Sequence, residues 1–421
     1  MSMIDRARAI LRANDRGGYC VPTARLYPFQ WNWDSAFTAM GWSTFDEPRA
    51  WQEIEFLLKG QWDDGLIPHI VFHAPSDDYF PGPDVWGTTH TPPTSGITQP
   101  PVLATAVRHL WDNARDRALA DAHAATAYPA LLRNHRWWQS ARDPERRGLV
   151  ATLHPWESGM DNSPAWDVAL ARVPTDTVTL IRRRDTSLVD ATMRPHAEEY
   201  QRYIHLVDLF RDAGWDPARM LAASPFRVAD LATNAILLRA EQDLLALASR
   251  FGTAEEQTEI EARIGRLDAA LERLWRDDLG LYAAMDLITH ETIPIGISAG
   301  FLPLFAGHAR ARVAIMAATL AGWSTRVNRL VPSTDPSYPG FEPKRYWRGP
   351  IWGMMNWMIA GGFTAAGDTA TAARIRADTL ALIEAAGPSE YYDPTTGAGI
   401  GGTDFSWTAA IYLLWRGDSA G

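Results

Sequence analysis

Two carboxylates lie in segments whose composition suits proton transfer. The first segment, His154-Pro155-Trp156-Glu157-Ser158-Gly159-Met160-Asp161-Asn162-Ser163-Pro164, is dense in polar, glycine and proline residues and sets Glu157 and Asp161 beside an aromatic ring. A carboxyl held against apolar rings is desolvated, so its pKa rises and it can act as an acid near neutral pH. An aspartate in a turn can also serve only as a helix cap, and the segment alone leaves both readings open. The second segment, Glu390-Tyr391-Tyr392-Asp393-Pro394-Thr395-Thr396-Gly397, leads into a glycine-rich run from Gly397 to Gly402 and then into Phe405-Ser406-Trp407. Glycine lets backbone approach a ligand closely. Turn chemistry accounts for Asp393 to Gly397 but not for Glu390.

Further segments carry groups that could hold a ligand. Tyr27-Pro28-Phe29-Gln30-Trp31-Asn32-Trp33-Asp34 alternates aromatics with side chains that hydrogen-bond hydroxyls, and Asp34 is also placed to N-cap a helix from Ser35. Tyr346-Trp347-Arg348-Gly349-Pro350-Ile351-Trp352 is a loop entering a helix, with Pro350 near its first turn. A polar loop from Thr94 to Gln99 stops at Pro100-Pro101. Arg194 and Tyr200 straddle a helix start; such an arginine is ordinarily a solvated charge and gains a role only if the ligand is an anion. The chain has 19 tryptophans and 11% aromatics, many of them in Gly/Pro-rich segments rather than on helical stripes. Tryptophan packs cores, but it also stacks well on the flat C–H face of a sugar ring.

Other chemistries lack their residues. There is no phosphate-cradling P-loop, no G-x-G-x-x-G after a strand and no G-x-S-x-G elbow. No H-E-x-x-H or paired Cys/His spacing suggests a catalytic zinc. His69, His73 and His90 are close in sequence but read as structural loop histidines. No metal or organic cofactor is expected.

The elements that must position these groups are helical. Ile260, Ile264, Leu267, Leu271 and Leu274 fall on one face, and Val228, Leu231, Ala235 and Leu238 repeat the pattern. Further helices are expected over 3–13, 34–42, 47–59, 100–114, 118–141, 195–212, 300–306, 308–321, 350–365, 367–386 and 404–415. Alternating patterns are scarce, and Val173 to Arg182 is the best strand candidate. Long loops over 60–99, 151–194 and 324–349 are of a length that is usually functional. About a dozen helices suit a double-layered ring, six inner and six outer, in one domain spanning 1–421 with the loops gathered over one end.

Composition bounds the setting. Over 421 residues the chain is 46% hydrophobic and 21% charged, with a net charge of −10. No basic stripe is offered to nucleic acid. No run of about 20 apolar residues could span a membrane. A single cysteine, Cys20, rules out an internal disulfide, and Met1 to Arg12 lacks the apolar core of a signal peptide. A cytoplasmic enzyme is expected, with a small-molecule partner and with a homo-oligomer left open.

Taken in this order, the motifs resemble glycoside hydrolase family 63, and most closely its bacterial branch of mannosylglycerate and glucosylglycerate hydrolases. The resemblance runs from Tyr27 to Trp407. Its most specific pieces are Glu157-Ser158-Gly159-Met160-Asp161-Asn162 and Glu390 to Gly397; the latter is also similar to the inverting trehalases. The resemblance implies an all-α (α/α)6 barrel with Asp161 as general acid and Glu390 as general base. It places Tyr27, Trp31, Trp33, Asp34 and Gln99 at the sugar subsite, and Tyr346, Trp347 and Trp352 further around the pocket. Arg194 and Tyr200 fall where such enzymes hold the glycerate carboxylate.

The expected reaction is inverting hydrolysis of an α-linked glycosylglycerate to hexose and glycerate. The alternatives are an α-glucosidase acting on a neutral disaccharide or small oligosaccharide, a helical-toroid sugar epimerase, which would use paired histidines, and a non-catalytic sugar binder. An inverting pair needs carboxyls roughly 6.5–9.5 Å apart. Asp161 should have a raised pKa through burial against Trp156 or its neighbours. The segment from Asp77 to Thr98 is expected to be a mobile lid, too long and polar to pack as a core element.

Overall fold

The computed structural model of the protein describes residues 2–417. Among the described residues, twelve helices alternate outward and inward along the chain. They are α1 Met3–Asn14, α2 Asn32–Ser43, α3 Glu47–Leu58, α4 Leu103–Asp112, α5 Arg117–Trp137, α6 Leu231–Phe251, α7 Ala254–Leu271, α8 Leu302–Phe305, α9 Val313–Trp323, α10 Gly353–Ala365, α11 Thr369–Ala386 and α12 Ser406–Gly417. The even-numbered helices close a ring: α2 packs on α4, α4 on α6, α6 on α8, α8 on α10, α10 on α12, and α12 back on α2. Around it lie α1 against α12, α3 against α2, α5 against α4 and α6, α7 against α6, and α11 against α10. This is the expected (α/α)6 barrel.

Composition explains which helix lies where. In α2 every residue from Asn32 to Trp42 is buried, as a helix walled in on all sides requires. In α7 only Ile260, Arg263, Leu267, Ala270 and Leu271 are buried, the single stripe of an outer helix. Starts are fixed by caps: Asp230 accepts from the backbone N–H of Ala232 and Thr233 at α6, and Thr253 with Glu256 forms a capping box at α7.

The connections are asymmetric. Inner-to-outer links are mostly short, such as Ser43 to Glu47 and Phe251 to Ala254, whereas long loops lead from the outer helices α3, α5, α9 and α11 into α4, α6, α10 and α12. The long loops therefore gather at the end of the ring where the inner helices begin. That end carries the positive poles of the helix dipoles, a favourable setting for carboxylates.

Three expectations change. Val173 to Arg182 forms no strand: Val178 and Leu180 are 84% and 70% exposed, so the alternation has no face to bury. Asp208 instead ties this stretch down by accepting from the Thr177 and Thr179 hydroxyls. The helix Ala197–Asp212 stands outside the ring, and the inner position between α6 and α10 is taken by the short α8, extended by a 3-10 turn at Ser298–Phe301. A further helix, Pro217–Ala223, went unread although Asp216 and Pro217 are helix-start signals. Finally, the segment Asp77 to Thr98 is not uniformly polar and loose. Trp86 is fully buried within a short helix, Pro83–Trp86, and its indole N–H donates to the Pro81 carbonyl. Among the described residues no helix is long and apolar enough to cross a membrane.

Candidate active site

The Asp161 loop is fixed on both sides of the carboxyl. A 3-10 turn, Pro155–Ser158, ends at Gly159, whose φ of +67° and close approach to the Trp33 ring leave no room for a Cβ. Met160 is fully buried, and its carbonyl accepts from the Trp166 indole N–H at 2.8 Å. The Asp161 carbonyl accepts from the Tyr203 hydroxyl at 2.8 Å, and the Asn162 Oδ1 accepts from the Trp347 N–H at 2.9 Å. Glu157 faces away, in a buried ion pair with Arg142 at 2.6 Å. The Asp161 carboxyl itself accepts no hydrogen bond from another described residue. Burial is the main cause that raises its pKa, to about 7, with Glu390 and Asp185 adding to it against the Arg194 cation.

Glu390 has the opposite surroundings. It sits in the strand Ser389–Tyr392, paired antiparallel with Gly399–Thr403, where the register shifts between Ser389 and Tyr391. A β-bulge re-aims a side chain in this way. Glu390 Oε2 accepts from the Gly402 N–H at 2.9 Å, Oε1 accepts from the Tyr27 hydroxyl at 2.9 Å, and Arg194 Nη1 stands 3.5 Å from Oε1. Burial raises its pKa while these donors and the Arg194 cation oppose the rise.

Both carboxyls line one cavity of about 770 Å³, its mouth included. Tyr27, Trp31, Trp33, Asp34 and Gln99 line it from the α2 and α4 side, Arg194 and Tyr200 from the long insertion before α6, and Tyr346 and Trp347 from the loop before α10. Gln99 Oε1 accepts from the Trp33 N–H at 3.3 Å. The helix α2 starts at Asn32, so Asp34 lies in the first turn and does not cap it. Its carboxyl accepts no hydrogen bond from another described residue, and burial raises its pKa well above the usual range. Trp352 is the exception to the expected lining. It lies one layer back, stacked on Trp347 at 3.9 Å and on Tyr391 at 4.7 Å, where it props the wall.

Arg194 and Tyr200 are engaged by the chain itself. Arg194 Nε donates to Asp185 at 3.1 Å and Nη2 to the Tyr27 hydroxyl at 2.9 Å, with the guanidinium 4.1 Å from the Tyr346 ring centre. The Tyr200 hydroxyl donates to the Phe80 carbonyl at 2.9 Å. Asp185 also lines the cavity and was missed by sequence reasoning, the one available signal being an acid after Arg182-Arg183-Arg184. Trp156, Tyr79, Phe405 and Trp407 join the wall. His69 pairs with Ser95, His73 with Gln30 and His90 with the Pro92 carbonyl. Among the described residues no cluster of His, Cys, Asp and Glu is placed to hold a metal ion.

Residues 27–408 match the family model for the mannosylglycerate hydrolase MGH1-like glycoside hydrolase domain. The chain belongs to this branch of glycoside hydrolase family 63. A mannosylglycerate hydrolase of Thermus thermophilus is 51% identical over 414 residues, covering 97% of this chain and 99% of that protein. A glucosylglycerate hydrolase of Mycolicibacterium hassiacum is 34% identical over 98% of this chain and 97% of its own length. A crystal structure of a family 63 mannosylglycerate hydrolase from Thermus thermophilus, in complex with Tris and D-glycerate, superposes with a TM-score of 0.96 at 50% identity, covering 99% of this chain and all of that one.

In this glycoside hydrolase the hairpin glycines carry a testable load. A Cβ on Gly401, whose φ is +76°, would lie 2.3 Å from Glu390 Oε2 and 2.6 Å from the Tyr391 ring. Gly401→Ala is therefore expected to displace the carboxylate and lower kcat by about 10²-fold, the scale of a 1 Å misplacement at a reacting centre. KM should change little. Steady-state kinetics on the folded variant would check this, and parental kcat would show that the hairpin does not fix Glu390.

Proposed function

We propose that the enzyme hydrolyses α-mannosylglycerate with inversion, releasing mannose and glycerate. The observation that carries the reading is the contrast between two carboxyls on one cavity. Asp161 is unpaired and desolvated, which keeps it protonated near neutral pH. Glu390 is buried too, but it accepts two hydrogen bonds and stands beside a cation, and these oppose the rise that burial causes and help to hold the carboxylate ionised. Asp161 would protonate the glycosidic oxygen as the bond to the anomeric carbon breaks. Glu390 would take a proton from the water attacking the opposite face. Trp31, Trp33 and Trp347 offer rings for stacking, and Asp34 and Gln99 offer polar atoms to sugar hydroxyls. Arg194 is the cation nearest the reaction for the glycerate carboxylate. The more similar of the named relatives point to mannose rather than glucose, and the cytoplasm is the compartment we assign.

The test is hydrolysis of mannosylglycerate, glucosylglycerate and neutral α-disaccharides, followed by proton NMR from the first minutes. Mannosylglycerate should be turned over fastest, with β-mannose appearing before mutarotation. First release of the α-anomer would remove inversion, and preference for glucosylglycerate would change the sugar.

The pH dependence follows from the same pair. A carboxyl raised to about 7 is protonated below that value and loses its proton above it. The kcat/KM profile should therefore be bell-shaped, falling on the alkaline side near pH 7 through Asp161 and on the acid side through Glu390. An Asp161→Asn profile that keeps the same alkaline limb would assign that limb elsewhere.

A further inference from the structure

Four acids line the cavity; Asp161 and Glu390 carry the proposed reaction and Asp34 is offered to sugar hydroxyls, which leaves Asp185 without a part. Asp185 stands at the start of a 3-10 turn, Asp185–Ser187, with its side chain 12% exposed. Arg183 grips it with two donors, Nε to Oδ1 at 3.0 Å and Nη2 to Oδ2 at 2.7 Å, and Arg194 Nε adds a third at 3.1 Å. No described hydrogen bond joins it to Asp161 or Glu390.

Its reach is through Arg194. That guanidinium is buried and lies between two carboxylates, Asp185 on Nε and Glu390 beyond Nη1. The Nη1 group is buried without a hydrogen-bond partner among the described residues, 3.5 Å from Glu390 Oε1 and so short of a bond. Tyr27 fills the gap, accepting from Arg194 Nη2 and donating to Glu390 Oε1. A buried cation with an unused N–H should close on the neighbouring carboxylate unless something holds it back. The anchors on its other nitrogens are Asp185 and the Tyr27 hydroxyl. We propose that Asp185 is a positioning residue that holds Arg194 off Glu390, so that the carboxylate stays oriented by Tyr27 and free to take a proton from water. This rests on Glu390 being the general base.

Full pairing with Arg194 would make Glu390 a weaker base and would fill space that the attacking water needs. The charged and titratable groups around Glu390 are Tyr27, Asp34, Asp161, Arg194, Tyr346 and Tyr391, with Asp185 behind Arg194. Loss of Asp185 removes a negative charge and lets the cation approach. Both changes stabilise ionised Glu390, so both move the acid limb of the profile to lower pH.

The experiment compares Asp185→Ala, Asp185→Asn and Glu390→Gln on mannosylglycerate, with thermal melts to confirm folding. Asp185→Ala should lower kcat by about 10- to 100-fold, within the range of a weakened general base. KM should stay within about threefold, and the acid limb should move down. Asp185→Asn keeps an oxygen for Arg194 Nε, so it should recover most of the lost turnover while its limb also moves down. Parental kcat in Asp185→Ala, an unmoved acid limb, or a limb moved to higher pH would each overturn the proposal; the unmoved limb would mean a structural role only. Should Asp185→Ala fail to fold, the limb of Asp185→Asn decides alone. Glu390→Gln separates the two readings: its full activity would remove Glu390 as base, whereas an inactive Glu390→Gln beside a parental Asp185→Ala would remove only the role given to Asp185.

Discussion

Asp161→Asn is expected to lower turnover of the α-linked substrate by about 10²–10⁴-fold, the usual worth of a positioned general acid or base, while the variant still binds sugar. Glu390→Gln should lose as much. The two are separated by the leaving group. A glycosyl fluoride releases fluoride ion from the anomeric carbon without needing a proton, so it should restore much of the turnover of Asp161→Asn. It should not rescue Glu390→Gln, because water still has to be deprotonated. The physical basis is the difference in surroundings: Asp161 lacks a hydrogen-bond partner for its carboxyl among the other described residues, whereas Tyr27 and the Gly402 N–H both donate to Glu390. Rescue of Glu390→Gln alone would exchange the two roles, and undiminished turnover in either variant would remove that residue from the mechanism.

The second large effect concerns Arg194. The family resemblance, which sets Arg194 at the glycerate carboxylate, implies that Arg194→Ala weakens hydrolysis of glycosylglycerates and spares neutral α-disaccharides. Its contacts change that expectation. The guanidinium bonds to Tyr27 and Asp185 and stands 3.5 Å from Glu390, so its removal should disturb the Glu390 carboxylate, the base we propose, whatever the aglycone. A charge-assisted contact is worth about 1.5–3 kcal/mol, so kcat/KM on a neutral α-mannoside should fall roughly 10- to 100-fold. The loss on mannosylglycerate should be larger by about another tenfold if the same cation also meets the carboxylate. Arg194→Lys should recover little, because an ammonium cannot reach Asp185, Tyr27 and the ligand with one rigid fork. Parallel kinetics on the two substrates measure both effects. Parental activity on the neutral one would confine Arg194 to carboxylate recognition.

The sequence by itself determined the helices and the residue types that could do chemistry. The 3.6-residue spacing of Ile260, Leu267 and Leu271 needs no partner to be recognised, because it records one buried face, and caps such as Asp230 and Thr253 are local. The Asp161 and Glu390 segments were legible as a family pattern, since their order along the chain is a sequence property. Direction of approach was not. Trp347 and Trp352 share one short aromatic segment, yet one faces the cavity and the other lies behind it, a matter of which ring reaches the wall first. Val178 and Leu180 alternate like a strand, but no described strand pairs with them, and only the packed molecule could reveal that. Asp185 carries no motif; its role comes from two arginines, of which Arg194 lies nine positions away. The raised pKa of Asp161 was foreseeable in direction from its aromatic neighbours, but its extent, to about 7, was decided by tertiary structure. Burial, the absence of a donor and the distance to a cation are properties of segments brought together from across the chain.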